Sequence, residues 1–332
     1  MIGLTLGIIG MLIVTQVLSV STGYQATITA AGEAQSIGNL SLYTIERDLK
    51  QSGFGITSPT LLGCQLTGYD NTRGVNISQR LYPVAIVAPV SATDSDTITI
   101  AYGTSDTRMG LVNLTANYNG AADGGANDIH IGNRFGFVVG DFFLLGQITN
   151  PATPCVLGQI SGLPTTDVTA ITHATTSAYR YNKSNGMGQA FTANNVGEFY
   201  SLGQAFNFNT YSVNAAKELV QTSVLTGNTL VIAENVMVFK ARYGHDSTGT
   251  DGTVDTWDTV IPTTSAAWGS TTNVRMGLAI KNPRREATAV TPSPLELWPS
   301  GPSITLSTED QHYRYRTYNV VVPLRNMIWR TF

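Results

Sequence analysis

The sequence predicts an α+β protein in which one long N-terminal helix joins a mainly antiparallel β head. Three observations carry this. Residues 1–20, MIGLTLGIIGMLIVTQVLSV, hold no charged side chain, and at ~20 residues they match the length of a helix that crosses a hydrocarbon core. Beyond them Tyr24, Ile28, Ala31, Gln35, Gly38, Leu42, Ile45 and Leu49 recur at alternating steps of four and three, the stripe of an amphipathic helix. After Gly53 the period changes to two, as strands require.

The first two observations join into one helix over residues 1–52, about 75 Å long at ~1.5 Å per residue. Its first part is a transmembrane candidate, and its second part is amphipathic, with Glu46, Arg47, Asp48 and Lys50 off the stripe. A cleaved secretory signal calls for a basic residue before the apolar run, whereas the first basic residue here is Arg47. The assembly face of the helix is Leu6, Ile9, Ile13, Val17, Tyr24, Ile28, Leu42, Ile45 and Leu49.

Residues 53–332 form the head, with room for two subdomains but no clear linker. The runs 81–90, 96–103, 136–147, 235–244, 273–282 and 312–324 read as strands, the first an edge because of its prolines. In 235–244, Met237, Phe239, Ala241 and Tyr243 alternate with Val236, Val238, Lys240 and Arg242, one face in and one out. Near the end Tyr313 and Tyr315 alternate with Arg314 and Arg316, read as a half-buried strand. The polar stretches 117–133 and 179–195 read as long surface loops.

Composition narrows the function. Net charge is −3 and 12% of residues are charged, against roughly 25% in common soluble domains; no basic patch serves nucleic acid. The two cysteines, Cys64 and Cys155, are expected to pair in an oxidising compartment, the alternative being two buried thiols. That bridge would stabilise by about 4 kcal/mol through loop closure. His130, His173, His245 and His312 are scattered and no nucleophile or phosphate-loop motif is present, so no enzyme is expected.

The densest carboxylates lie in YGHDSTGTDGTVDTW, 243–257. Calcium takes oxygen ligands at alternating positions around a turn, and Asp246, Asp251, Thr253 and Asp255 supply part of that pattern, with a carbonyl of Ser247 or Gly249. The competing reading is a turn whose Asp side chains cap backbone amides.

In order along the chain, AQSIGNLSLYTIERDLKQSGFG, ENVMVFKARYGHDSTGTDGTVDTW, NVRMGLAIKNPRREA and EDQHYRYRTYNVVVPLRNMIW resemble the PilW-type minor pilins of bacterial type IV pilus systems. The resemblance touches both ends and leaves about 60–230 unmatched. It implies a subunit inserted in the inner membrane with a periplasmic head, then carried into an extracellular filament or tip complex serving adhesion or twitching motility. The partners it implies are major and minor pilins and a pilus-tip adhesin. The family's processing signal, a basic leader, Gly, Phe or Met and then Thr-Leu-Val-Glu, is expected just upstream of Met1. A type II secretion pseudopilin and a membrane-tethered adhesin are the alternatives.

Overall fold

The computed structural model describes residues 2–56, 58, 61–91, 93–105, 110–120, 128–147, 154–175, 178–184, 186–193, 196–248 and 251–328. Helix α1 spans Ile2–Gln51 in one piece, its length and end agreeing with the periodicity. Gly53 and Gly55 stop it, at φ +76° and +78°, a conformation a side chain would oppose.

Three sheets form the head. The first has six strands in the order β2 (Val75–Arg80), β1 (Gln65–Asp70), β8 (Cys155–Gln159), β7 (Phe142–Gln147), β10 (Gly197–Gly203) and β5 (Val112–Asn113). Its pairs are antiparallel except β1 with β8. The second is β13 (Thr229–Ala233), β12 (Leu219–Ser223), β11 (Phe206–Val213), β4 (Thr97–Gly103) and β3 (Val84–Val87), all antiparallel. The third is β15 (Thr256–Asp258), β14 (Val236–His245), β16 (Thr271–Arg285) and β19 (Tyr313–Pro323), also antiparallel. Two short ribbons, β6 (Asp128–His130) with β9 (Ala170–Thr172) and β17 (Leu295–Glu296) with β18 (Ser303–Ile304), cover outer faces.

The largest core joins the lower part of α1, through Leu42, Ile45 and Leu49, to the second and third sheets, through Ile98, Ile100, Phe239, Met276 and Leu278. A second core fills the space between the first sheet and Phe206 and Phe208 of the second. A third lies under the β6–β9 ribbon, and Trp298 caps a fourth on the outer face of the third sheet. Helices α2 (Ser265–Ser270) and α3 (Arg325–Ile328) close the base of α1.

Several expectations change. The run 235–244 was expected to present one wet face, yet β14 is interior to its sheet and Lys240 is buried along with Val236 and Val238, because Asp96 supplies a buried counter-charge. The run 136–147 is a strand only from Phe142, since Gly136 and Gly140 turn at positive φ. The stretches 117–133 and 179–195 are stitched into the head, with Tyr118 bridging Phe191 in one core and Tyr181 buried against Phe142 in another; residues 121–127, 185, 194 and 195 lie outside the described set.

Among the described residues no helix is long and apolar enough to cross a membrane. The side chains of α1 are described without a break over 7–19, about 20 Å of helix against roughly 30 Å of hydrocarbon. The expected transmembrane span is thus not met within them; it also draws on side chains outside that set.

Candidate assembly surface

Along its first part the described large apolar side chains of α1 are exposed. Ile8, Ile9, Met11, Leu12, Ile13, Val14, Val17 and Leu18 are each 53–72% exposed, an apolar surface around the whole circumference. Contiguous exposure on this scale marks a contact site. Two hydroxyls there are satisfied within the helix: Thr15 Oγ1 donates to the carbonyls of Met11 and Leu12 at 3.0 and 2.9 Å, and Thr22 Oγ1 to Ser19 at 3.0 Å. Such hydroxyls enter an apolar environment without an unpaired donor.

Of the expected assembly face, Ile9, Ile13, Val17 and Ile28 are exposed, whereas Leu42, Ile45 and Leu49 are buried against the chain's own head. The side chains of Leu6 and Tyr24 lie outside the described set. The stripe therefore divides into a free upper part and a lower part whose partner is intramolecular. Gln35 is exposed and Ala34 takes its place in the core.

Two contacts position the lower part. Gly38 lies against the Tyr318 ring, where an added Cβ would meet a ring carbon at 2.3 Å, and the Tyr318 hydroxyl donates to the Ala34 carbonyl at 3.0 Å. Below it Asp48, read from the sequence as a solvent-side residue, is buried. Its carboxylate accepts from Tyr211 Oη at 2.6 Å, Tyr102 Oη at 3.0 Å and Asn209 Nδ2 at 3.4 Å. Arg47 Nε lies 3.6 Å away. Burial, then the Asp48 charge, raises both tyrosine pKa values above the ordinary phenol range. Ser41, Asp48 and Ser52 stand four before, three after and seven after Ile45, on one face. That spacing was the available signal, masked by their polarity. At the base, Asn326 Nδ2 donates to the carbonyls of Gln51 and Ser52 at 3.1 and 3.0 Å.

Asp96 plays the same part between sheets. It is fully buried and accepts from Lys240 Nζ at 3.1 Å, the Ala241 amide at 2.9 Å and Arg242 Nη1 at 2.8 Å, so β14 is held to the loop before β4. In the first sheet the disulfide Cys64–Cys155 forms as expected, with Cα atoms 5.9 Å apart, where β1 and β8 run parallel.

The acidic loop uses its carboxylates internally. Asp255 Oδ2 accepts from the amides of Ser247 and Thr248 at 2.7 and 2.8 Å and from their hydroxyls at 3.2 and 2.9 Å. The Ser247 amide leads the interactions that lower its pKa. Asp246 Oδ2 accepts from the Gly252 amide and Asp251 Oδ1 from the Thr253 amide, both at 2.8 Å. This is amide capping, and among the described residues no group of three or more His, Cys, Asp or Glu gathers as a metal site. Of the expected calcium ligands Asp246, Asp251, Thr253 and Asp255, the three aspartates each have one oxygen engaged by a backbone amide; Gly249 lies outside the described residues.

Comparison with known proteins finds a family match over part of the chain. Residues 209–326 match the PilW model, Type IV Pilus-assembly protein W, the family resembled by the sequence motifs, and link the chain to type IV pilus assembly. The match runs from β11 to α3 and includes neither α1 nor the first sheet. A solved type IV-like pilin from Thermus thermophilus is similar at 10% identity and a TM-score of 0.31, over 87% of this chain and 95% of that one. No curated protein matches the chain.

Proposed function

We propose that the chain is a minor pilin of a type IV pilus system, a non-catalytic subunit that supports initiation of the filament or its tip complex. The observation that carries this is the division of α1: the lower part is fixed to the head, while the upper part exposes apolar side chains on every side. Such a surface is satisfied by neighbouring apolar helices or by lipid tails. The charge-free run at 1–20 supports an inner-membrane stage with the head in the periplasm, followed by transfer of the same surface into a bundle of pilin helices. The PilW match supports the system. Other pilins and a tip adhesin are the partners of this reading.

Ile13→Asp tests it in cells that make the pili. Residue 13 is exposed and distant in sequence from the docked stripe, so the head folds as before, whereas a carboxylate amid apolar helices or lipid costs about 3 kcal/mol. The expected result is a stable protein lost from the sheared pilus fraction and reduced surface piliation. Normal piliation and normal incorporation would overturn the reading.

A further inference from the structure

The outer face of the third sheet carries a cation without an anion. Arg242 of β14 and Arg275 of β16 stand directly opposite one another, an arrangement in which like charges repel. Asp96 offsets the first of them. Arg275 has no carboxylate within ion-pair distance among the described residues. Its Nη2 donates to Asn319 Oδ1 at 3.2 Å, its guanidinium lies 4.9 Å from the centre of the Trp298 ring, and its Nε is buried without a hydrogen-bond partner.

The surroundings form a hollow of about 430 Å³ between Trp257 and Trp298, closed by the turn 299–302. Two glycines make room for the indoles. An added Cβ on Gly277 would meet Trp298 at 2.7 Å, and one on Gly244 would meet Trp257 at 2.8 Å. The Trp298 ring is buried and engaged by Arg275, but Trp257 stays 37% exposed, an apolar plate beside a charge. In the same turn Ser300 holds φ +58°, uncommon for a residue with a side chain.

From these we propose a binding site for an acidic saccharide, in which Arg275 pairs with the sugar carboxylate and a pyranose ring lies on Trp257. A guanidinium without a counter-ion, lining an open hollow, suits a carboxylate through charge and its remaining N–H donors. The C–H face of a pyranose suits the half-exposed indole. An acidic peptide is disfavoured because its carboxylates come without the flat C–H face that suits the half-exposed Trp257 indole. The proposal is independent of the pilin reading.

Titration of the full chain in detergent with trigalacturonate, followed by tryptophan fluorescence and calorimetry, tests it. Saturable binding is expected, weakened at least tenfold by Arg275→Gln, severalfold by Trp257→Ala and by 0.5 M salt, and absent for the fully methyl-esterified trimer. Arg275→Lys, which keeps the charge without the planar guanidinium, is expected to fall between and serves where the Gln variant does not fold. No saturable binding, or equal binding by folded Arg275→Gln or Arg275→Lys, would overturn the site. Tighter binding of hexaglutamate than of trigalacturonate would overturn the saccharide assignment.

Discussion

The two parts of α1 are built from the same apolar residues and meet opposite surroundings. Ile13 is 57% exposed and Ile45 is fully buried, though both sit on one continuous helix. The difference lies in what faces them: Ile45 packs into the cleft between the second and third sheets, whereas no described core of the head includes residue 13. Apolar periodicity thus specifies that a face will be covered, and tertiary structure decides whether the cover is the chain itself or a neighbour.

The sharpest way to break this comparison is to shorten both side chains. Ile45→Ala leaves a cavity in the largest core and is expected to cost about 3 kcal/mol. Ile13→Ala removes surface that the isolated subunit does not bury and is expected to change stability by no more than about 0.5 kcal/mol. Denaturant unfolding of the full chain in detergent checks both. Similar losses would mean that the upper part of the helix is packed on the head.

Acid probes the part of the head whose core contains no residue of α1. His173 is buried against Tyr118 and Phe143 and neither ring nitrogen has a hydrogen-bond partner among the described residues. Burial lowers its pKa to about 4. Between pH 6.5 and 4 the unfolded chain therefore binds a proton that the folded chain does not. Stability is full above about 6.5 and falls as pH drops toward 4, by up to about 3 kcal/mol. His173→Phe should flatten that slope in thermal melts across the same range, and an unchanged slope would exclude His173 as its source. Asp70 titrates lower: burial raises its pKa, but the side-chain bonds from Arg180 and Arg73 outweigh this and hold it below the usual carboxylate range. Its contribution is therefore lost only as pH falls below about 4.

The docked part is also held by polarity. Asp48→Asn keeps shape but presents an N–H₂ group where two tyrosine hydroxyls and Asn209 donate, which is expected to cost about 2 kcal/mol. A matching loss in Tyr211→Phe, less than additive with it, would show in a double-mutant cycle that the two act together. Additive losses would break that link.

The sequence made legible what repeats: the helix and its end at Gly53, the strand at 313–323, and the antiparallel head. It also exposed the cysteine pair, because only two were present. What it hid were single long-range pairings. Asp48 and Asp96 look solvent-bound from local pattern, and only β4, β11 and β14, which are distant in sequence, make their burial favourable. The candidate assembly surface was half legible for the same reason, since Leu42 and Ile13 carry equal apolar signals and differ in a partner that the local sequence does not show.

Two glycines give the finest version of the comparison. In a helix interior, Ala in place of Gly is favoured by about 1 kcal/mol. Nothing lies within 4 Å of a Cβ built on Gly32, whereas one on Gly38 would meet the Tyr318 ring at 2.3 Å. Gly32→Ala should therefore raise stability by about 0.5–1 kcal/mol. Gly38→Ala carries the same helix gain but must displace Tyr318, losing its bond to the Ala34 carbonyl, at an overpacking cost of about 1–3 kcal/mol. The expected sign is opposite in the two variants, a net loss of about 1 kcal/mol at Gly38, and paired thermal melts resolve it. A gain at both positions would mean that the ring moves aside freely and that Gly38 does not fix the seat of α1 on β19.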